Sequence, residues 1–333
     1  RLGIRKRILM SARRLPLDRS TLCGFLAILL WSTTIALARS LSEQLGPLTS
    51  GATVYLVGGV LCLLHLRRSI HPLIALRRLP RLYLIGCGAL FVLYMFALFE
   101  AIGLAADRSQ VLEVGMVNYL WPSLTILFSL LLLGKKGSWL LIPGSLLALL
   151  GVFLVLTQET AISWTSFAHN VAGNPLAYGL ALTAALSWGL YSNLTRRWAG
   201  SDDTDGGSSS SGGVAFFMLA TGAVLLLLRL FSAEISVWNP RAIAEVLFLG
   251  LATSLAYVCW DVAMRRGDIV LVGAASYFTP FLSTLTSCLY LQIATGPGLW
   301  LGCFAIIVGS LLSWRSVTDA RESPTPENRR PYD

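Results

Sequence analysis

The stretch EVGMVNYLWPSLTILF (113–128) places a glutamate, an asparagine, a tyrosine, a tryptophan and a proline within an otherwise apolar run. Pro122 has no N–H to give the carbonyl four residues earlier, and its ring disturbs the preceding turn. The carbonyl it frees is that of Asn118, which also carries a polar side chain. A second stretch, SYFTP (276–280), repeats the arrangement with Pro280 and Ser276. In hydrocarbon an unpaired carbonyl is costly unless a neighbour, water or ligand meets it. Two such breaks facing one another therefore offer acceptors suited to an ammonium group. Kinks without function are the plainer explanation, and the matched placement of the two prolines argues against it.

Aromatic residues gather around the same segments. Trp31, Tyr94, Tyr119, Trp121, Trp188, Tyr191, Tyr257, Trp260 and Tyr277 all fall deep within apolar runs. Their rings can stack on a flat side chain or cover a cation, and their polar tips need partners when buried. Ser32 and Thr279 add hydroxyls at the same depth. Residues on opposite faces of one helix cannot line one cavity, so about half of this set is expected to pack instead. Trp121 and Trp188 are the preferred pair. Trp164, Trp238 and Trp300 lie near run ends, where indoles form an interfacial belt.

Charged residues inside the runs are few. Arg39 with Glu43, and Asp261 with Arg265, have the i,i+4 spacing of helix surface pairs, and both are expected at run ends. Glu100 and Glu113 are candidates for carrying a proton. Of the two, Glu113 is the better placed because it precedes the break. No phosphate-binding loop, zinc-protease motif or nucleophile elbow occurs. His65, His71 and His169 lack metal-ligand spacing, and the six cysteines lack C-x-x-C pairs and read as packing residues. The chain is expected to be no enzyme and to need no cofactor or metal.

The elements that hold these residues follow from composition. The 333 residues are 55% hydrophobic and 13% charged, against about 25% charged in soluble domains. Mean hydropathy is +0.68. Runs of about 20 apolar residues, enough to cross a bilayer, occur near 21–43, 46–66, 81–103, 110–133, 139–157, 175–196, 214–232, 242–263, 269–292 and 298–315. Of the 26 Lys and Arg, all but Arg39, Arg108, Arg229 and Arg241 fall on one side if these runs alternate. Positive charge marks the cytoplasmic side, so both termini are expected there. The net charge of +9 thus sets orientation and gives no reason to invoke nucleic acid. A secretory signal ending at Ala36-Leu37-Ala38 is disfavoured, because the run continues past it and has a counterpart later in the chain.

The counterpart is a repeat. NYLWP and SYFTP pair in a register that also sets Gly144 against Gly302 and Gly151 against Gly309. In an adjusted register Gly86 meets Gly250 and Gly103 meets Gly267, and Trp31-Ser32 has a reversed echo in Ser187-Trp188. Five runs per unit is an odd number, so the second unit enters the membrane from the opposite side. Inverted repeats of this kind characterise secondary transporters with midplane substrate sites. The expected fold is an all-α integral membrane protein of ten transmembrane helices in two five-helix inverted repeats. Its parts are a basic cytoplasmic segment 1–20, a first repeat 21–157, an external loop 158–174 and a second repeat 175–315. A flexible cytoplasmic linker is expected at 199–213, and a disordered cytoplasmic tail at 316–333.

Three stretches, LLWSTTIALARSLSEQLGP (29–47), EVGMVNYLWPSLTILF and GAASYFTPFLS (273–283), are similar to the drug/metabolite transporter superfamily of EamA type. Within it they resemble the bacterial aromatic amino acid exporters. The resemblance spans nearly the whole chain; the serine-rich linker departs from it. It implies inner-membrane export of amino acids, aromatic or other neutral ones, with the small-molecule substrate and membrane lipid as partners. No obligate protein partner is evident. Export of other small metabolites or drugs is the alternative, ahead of an intramembrane enzyme or a channel-like pore.

Overall fold

Asp18 opens the first helix by accepting the Thr21 N–H at 3.0 Å, filling one of the donors that every helix start leaves unpaired. The computed structural model describes residues 18–67, 74, 76, 77, 79–157, 164–199, 210–291 and 297–318. Helices α1 (Arg19–Leu45), α2 (Pro47–Leu66) and α3 (Tyr83–Gly103) come first, and α3 begins with one π-helical turn at Tyr83–Cys87. Next come α4 (Arg108–Asn118), α5 (Trp121–Leu133) and α6 (Leu141–Thr157). The short helix α7 (Trp164–Gly173) leads to α8 (Pro175–Ala199), α9 (Ser210–Arg229) and α10 (Pro240–Arg266). The last described helices are α11 (Ile269–Ala275), α12 (Phe278–Leu291) and α13 (Pro297–Arg315).

Among the described residues, five helical spans are long and apolar enough to cross a membrane: 47–66, 83–103, 110–133, 240–266 and 297–315. The α11–α12 pair, bent by 41° between Ala275 and Phe278, makes a sixth. The two breaks differ, since 110–133 qualifies as one span in spite of its interruption. Leu131, Ile142, Leu146 and Phe304 are more than 60% exposed. Apolar surface turned outward on this scale suits a lipid solvent. Between α3 and α9 it deepens into a crevice of about 720 Å3, lined by Leu84, Val92, Phe96, Phe217 and Val224 among others.

Helix contacts are preserved when the two halves are exchanged. α6 packs on α13 and α2 on α9; α1 packs on α10 as α8 does on α3, and α12 on α1 as α5 does on α8. Small residues bring the paired helices together. A Cβ on Gly309 would stand 2.3 Å from the Ala148 backbone nitrogen, and one on Gly151 2.6 Å from the Gly302 carbonyl oxygen. Between α2 and α9, Gly222 leaves room for Leu56 and Gly59 for Leu219.

Three segments differ from the sequence expectation. The loop 158–174 contains α7, whose Phe167 and Val171 pack on Ala177, Tyr178 and Ala181 of α8. Residues 210–213 of the expected linker are already helical, while 200–209 lie outside the described residues. Val317 and Thr318 of the expected disordered tail pair antiparallel with Gly137 and Lys136. Residues 319–333 of that tail and residues 1–17 also lie outside the described residues.

Candidate functional site

A cavity of about 130 Å3 sits where α1, α3, α8 and α10 meet the α4–α5 break and the start of α12. Trp31, Tyr94, Trp121, Trp188 and Tyr257 form aromatic walls, and Asn118, Tyr119 and Thr279 complete the lining. All eight were anticipated from the sequence. Trp31 and Trp188, the tryptophans of the reversed echo, meet edge to face at 5.7 Å and 71°. Trp121 meets Trp188 at 6.2 Å and 82°, and Tyr94 tilts onto Trp188 at 4.8 Å. The arrangement keeps positive ring edges against negative ring faces.

Two polar atoms of the lining, Asn118 Oδ1 and Thr279 Oγ1, are buried and have no hydrogen-bond partner. The break between α4 and α5 places the asparagine at the cavity. Helix α4 ends at Asn118, and α5 restarts at Trp121 with Pro122 in its first turn, where the missing N–H costs nothing. Buried polar groups are nearly always paired, and two that are not fall within this one small cavity.

Other anticipated residues lie around the cavity without lining it. Trp260 is fully buried and backs Trp31 at 5.2 Å and Trp121 at 5.5 Å. Tyr191 lies behind Trp188 at 5.1 Å. The Ser32 hydroxyl bonds the Ile28 carbonyl at 2.7 Å and reaches the Thr279 carbonyl at 3.4 Å. Tyr277 is fully buried with its hydroxyl on Ser123. The Ser276 side chain bonds the Val272 carbonyl at 2.8 Å. Its own carbonyl, expected to be freed by Pro280, accepts the Thr279 N–H at 3.1 Å. The tight turn before α12 therefore satisfies that acceptor locally.

Charged residues also differ from expectation. Glu113 is fully buried but does not line the cavity. Its carboxylate accepts both the Asn170 amide, at 3.1 and 3.2 Å, and the Tyr178 hydroxyl, tying α4 to α7 and α8. Asp261 and Arg265, expected as a surface pair, are 0% and 2% exposed at their side chains and bonded at 2.8 Å. Spacing revealed the pair; its burial depends on which side of α10 faces α3 and α8. Glu43 is exposed, and the Arg39 side chain is outside the described residues.

Two aromatic residues escaped the sequence reading. Phe91 touches Trp188, Tyr191 and Tyr257 at 6.0, 5.5 and 4.8 Å. Tyr55 shares its hydroxyl with that of Tyr257 at 2.6 Å. Phe91 lies one turn before Tyr94 on the same helix face, a spacing that could have revealed it. Among the described residues no three His, Cys, Asp or Glu side chains gather as a metal site would.

The EamA-like transporter family model matches twice, over residues 19–157 and 175–315. The chain belongs to that family. This EamA-like transporter is 37% identical over 299 residues to the aromatic amino acid exporter YddG of Salmonella typhimurium, covering 89% of this chain and 97% of that protein. It is 34% identical to YddG of Escherichia coli K12 over 89% of this chain and 97% of that one. The corresponding figures for YddG of Ancylobacter novellus are 34%, 88% and 96%. A solved crystal structure superposes with a TM-score of 0.72 at 32% identity, covering 89% of this chain and 97% of that one. The EamA-like transporter is a multi-pass membrane protein, and the two matches establish the repeat that NYLWP and SYFTP outlined.

Proposed function

We propose that this protein exports amino acids, aromatic or other neutral ones, across the bacterial inner membrane by alternating access. The cavity between the two repeats is the substrate site. In this reading ten helices cross the bilayer as two inverted five-helix units, with both termini cytoplasmic. The alternation of basic segments and the exchange-symmetric helix contacts support it.

The observation that carries the proposal is the lining. Aromatic walls drawn from both repeats enclose two unpartnered polar atoms. Asn118 Oδ1 accepts from an α-ammonium, the Thr279 hydroxyl donates to an α-carboxylate, and the side chain lies against the rings of Trp121 and Trp188. At about 130 Å3 the cavity is smaller than the roughly 300 Å3 at which small-molecule pockets begin. Admission therefore requires the helices around it to part, and alternation supplies that motion. The names of the similar exporters point to the same substrate class.

Counterflow of labelled phenylalanine into liposomes carrying the purified protein tests the reading, with unlabelled amino acids as competitors. Saturable uptake that is competed by aromatic and other neutral amino acids is expected. Uptake competed only by unrelated metabolites or drugs would reassign the substrate, and conduction without saturation would make the protein a pore.

A further inference from the structure

A buried ion pair lies beyond one end of the cavity lining. Three helices bear lining residues and continue below them along the same face. On α10, Asp261 is one turn and Arg265 two turns beyond Tyr257. On α3, Phe91, Cys87 and Tyr83 descend in order from Tyr94, all fully buried. On α8, Tyr191 follows Trp188. At 1.5 Å of rise per residue, Asp261 is about 6 Å and Arg265 about 12 Å below the level of Tyr257.

Here the first repeat grips the second. The Tyr83 hydroxyl donates to Asp261 Oδ1 at 2.8 Å, and Arg265 Nε meets Asp261 Oδ2 at 2.8 Å. The guanidinium carbon lies 4.5 Å from the centroid of the Tyr83 ring, a cation–π contact. Above this cluster the Tyr191 hydroxyl is buried without a hydrogen-bond partner.

The repeat framework does not require the pair. The register that sets Gly86 against Gly250 and Gly103 against Gly267 sets Ala97 against Asp261 and Ala101 against Arg265. Both alanines are fully buried, so the equivalent positions in the first half fill with methyl groups. A buried ion pair is seldom the most stable filling of such a space. Its presence in one half only calls for a task that charge performs.

We propose that Asp261 and Arg265 form a gate below the aromatic cavity, and a second, transient site for the two charges of a zwitterionic α-amino acid. The inference rests on the exporter reading above. Opening this end separates Tyr83 on α3 from Asp261 on α10 and exposes the pair to the approaching substrate. The α-ammonium then takes the place of the guanidinium on Asp261, and the α-carboxylate takes the place of the aspartate on Arg265. Neither protein charge is stranded in a low-dielectric surrounding, because the substrate carries the same two charges as the contact it interrupts. The Tyr191 hydroxyl supplies a further hydrogen bond between this site and the cavity. A solute with a single charge leaves one side of the pair unmet, so the gate favours zwitterions.

The test separates binding from passage. Asp261→Leu combined with Arg265→Met removes both charges at similar volume, a replacement that buried pairs commonly tolerate. In the full-length protein this double variant is expected to melt near wild type and to bind phenylalanine within about twofold of wild type. Counterflow is expected to fall at least about tenfold. Wild-type counterflow, or parallel loss of binding and flux, overturns the proposal and leaves a structural prop. If the double variant does not fold, Arg265→Lys decides: a lower maximal rate with unchanged binding supports the gate, and an unchanged rate overturns it. Wild-type liposomes without amino acid counterflow would defeat the exporter reading itself, an outcome distinct from all of these.

Discussion

Trp121 of the first repeat and Trp188 of the second stand edge to face across the cavity, ring centroids 6.2 Å apart at 82°. The two rings are also joined through Trp260, 5.5 Å from one and 5.8 Å from the other. Each is held by a helix of its own half, so movement of the halves changes the gap between them. Trp121→Ala removes one wall and is expected to reduce counterflow at least about tenfold in a protein that remains folded. Undiminished flux would take Trp121 out of the site.

Asn118 tests the polar end. Its Oδ1 has no hydrogen-bond partner, and a hydrogen bond to a charged group contributes about 1.5–3 kcal/mol. Asn118→Ala should therefore raise the half-saturating amino acid concentration about ten- to a hundredfold. Thr279→Val should act in the same direction. Titration of tryptophan fluorescence in detergent measures both, and unchanged affinity in either variant would remove that contact.

Pro280 sits in the first turn of α12, just past the 41° bend. Alanine there restores an N–H that can reach the Ser276 carbonyl, at present bonded to Thr279. The helix then runs straighter and loses the turn that presents Thr279. Pro280→Ala is expected to keep or raise the melting temperature while flux falls. Full flux with an unaltered melt would show that the bend is dispensable.

Glu113 joins α4, α7 and α8 through Asn170 and Tyr178. A protonated carboxyl accepts fewer hydrogen bonds than a carboxylate, so any proton effect is exerted through the hold on these helices rather than on the substrate. If Glu113 couples protons to export, Glu113→Gln leaves counterflow intact and abolishes the response of flux to an imposed pH gradient. A response equal to wild type removes it from coupling.

At Gly309 the added methyl would meet backbone, not a mobile side chain. Gly309→Ala should destabilise by about 1–3 kcal/mol, as overpacking does, and lower the melting temperature in detergent. A melt at the wild-type temperature would mean that the α6–α13 seam yields.

Periodicity and charge made the helices legible. The apolar runs fall on helices or broken helix pairs among the described residues, five or six of which are long and apolar enough to cross a membrane, because in lipid hydropathy acts on whole segments. The lining was legible where composition departed from lipid-compatible residues, as at Asn118 and Trp121. Orientation around the helix axis was not. Ser276 and Tyr277 share the motif with Thr279, yet they turn into helix contacts while Thr279 meets the cavity. Asp261 and Arg265 looked like a surface pair, since spacing shows which residues are neighbours but not which way they face. Helix α7 was read as loop because ten residues are too few to cross a bilayer.

The glycine-faced seam between α6 and α13 also sets an order of events during synthesis. Ala148 emerges long before Gly309, by about 8 to 32 seconds at ribosomal rates of roughly 5–20 residues per second. Throughout that delay the newborn first half lacks the helix that covers its groove of bare backbone. Its partner α13 comes after every other described helix, so this seam is among the later ones to close.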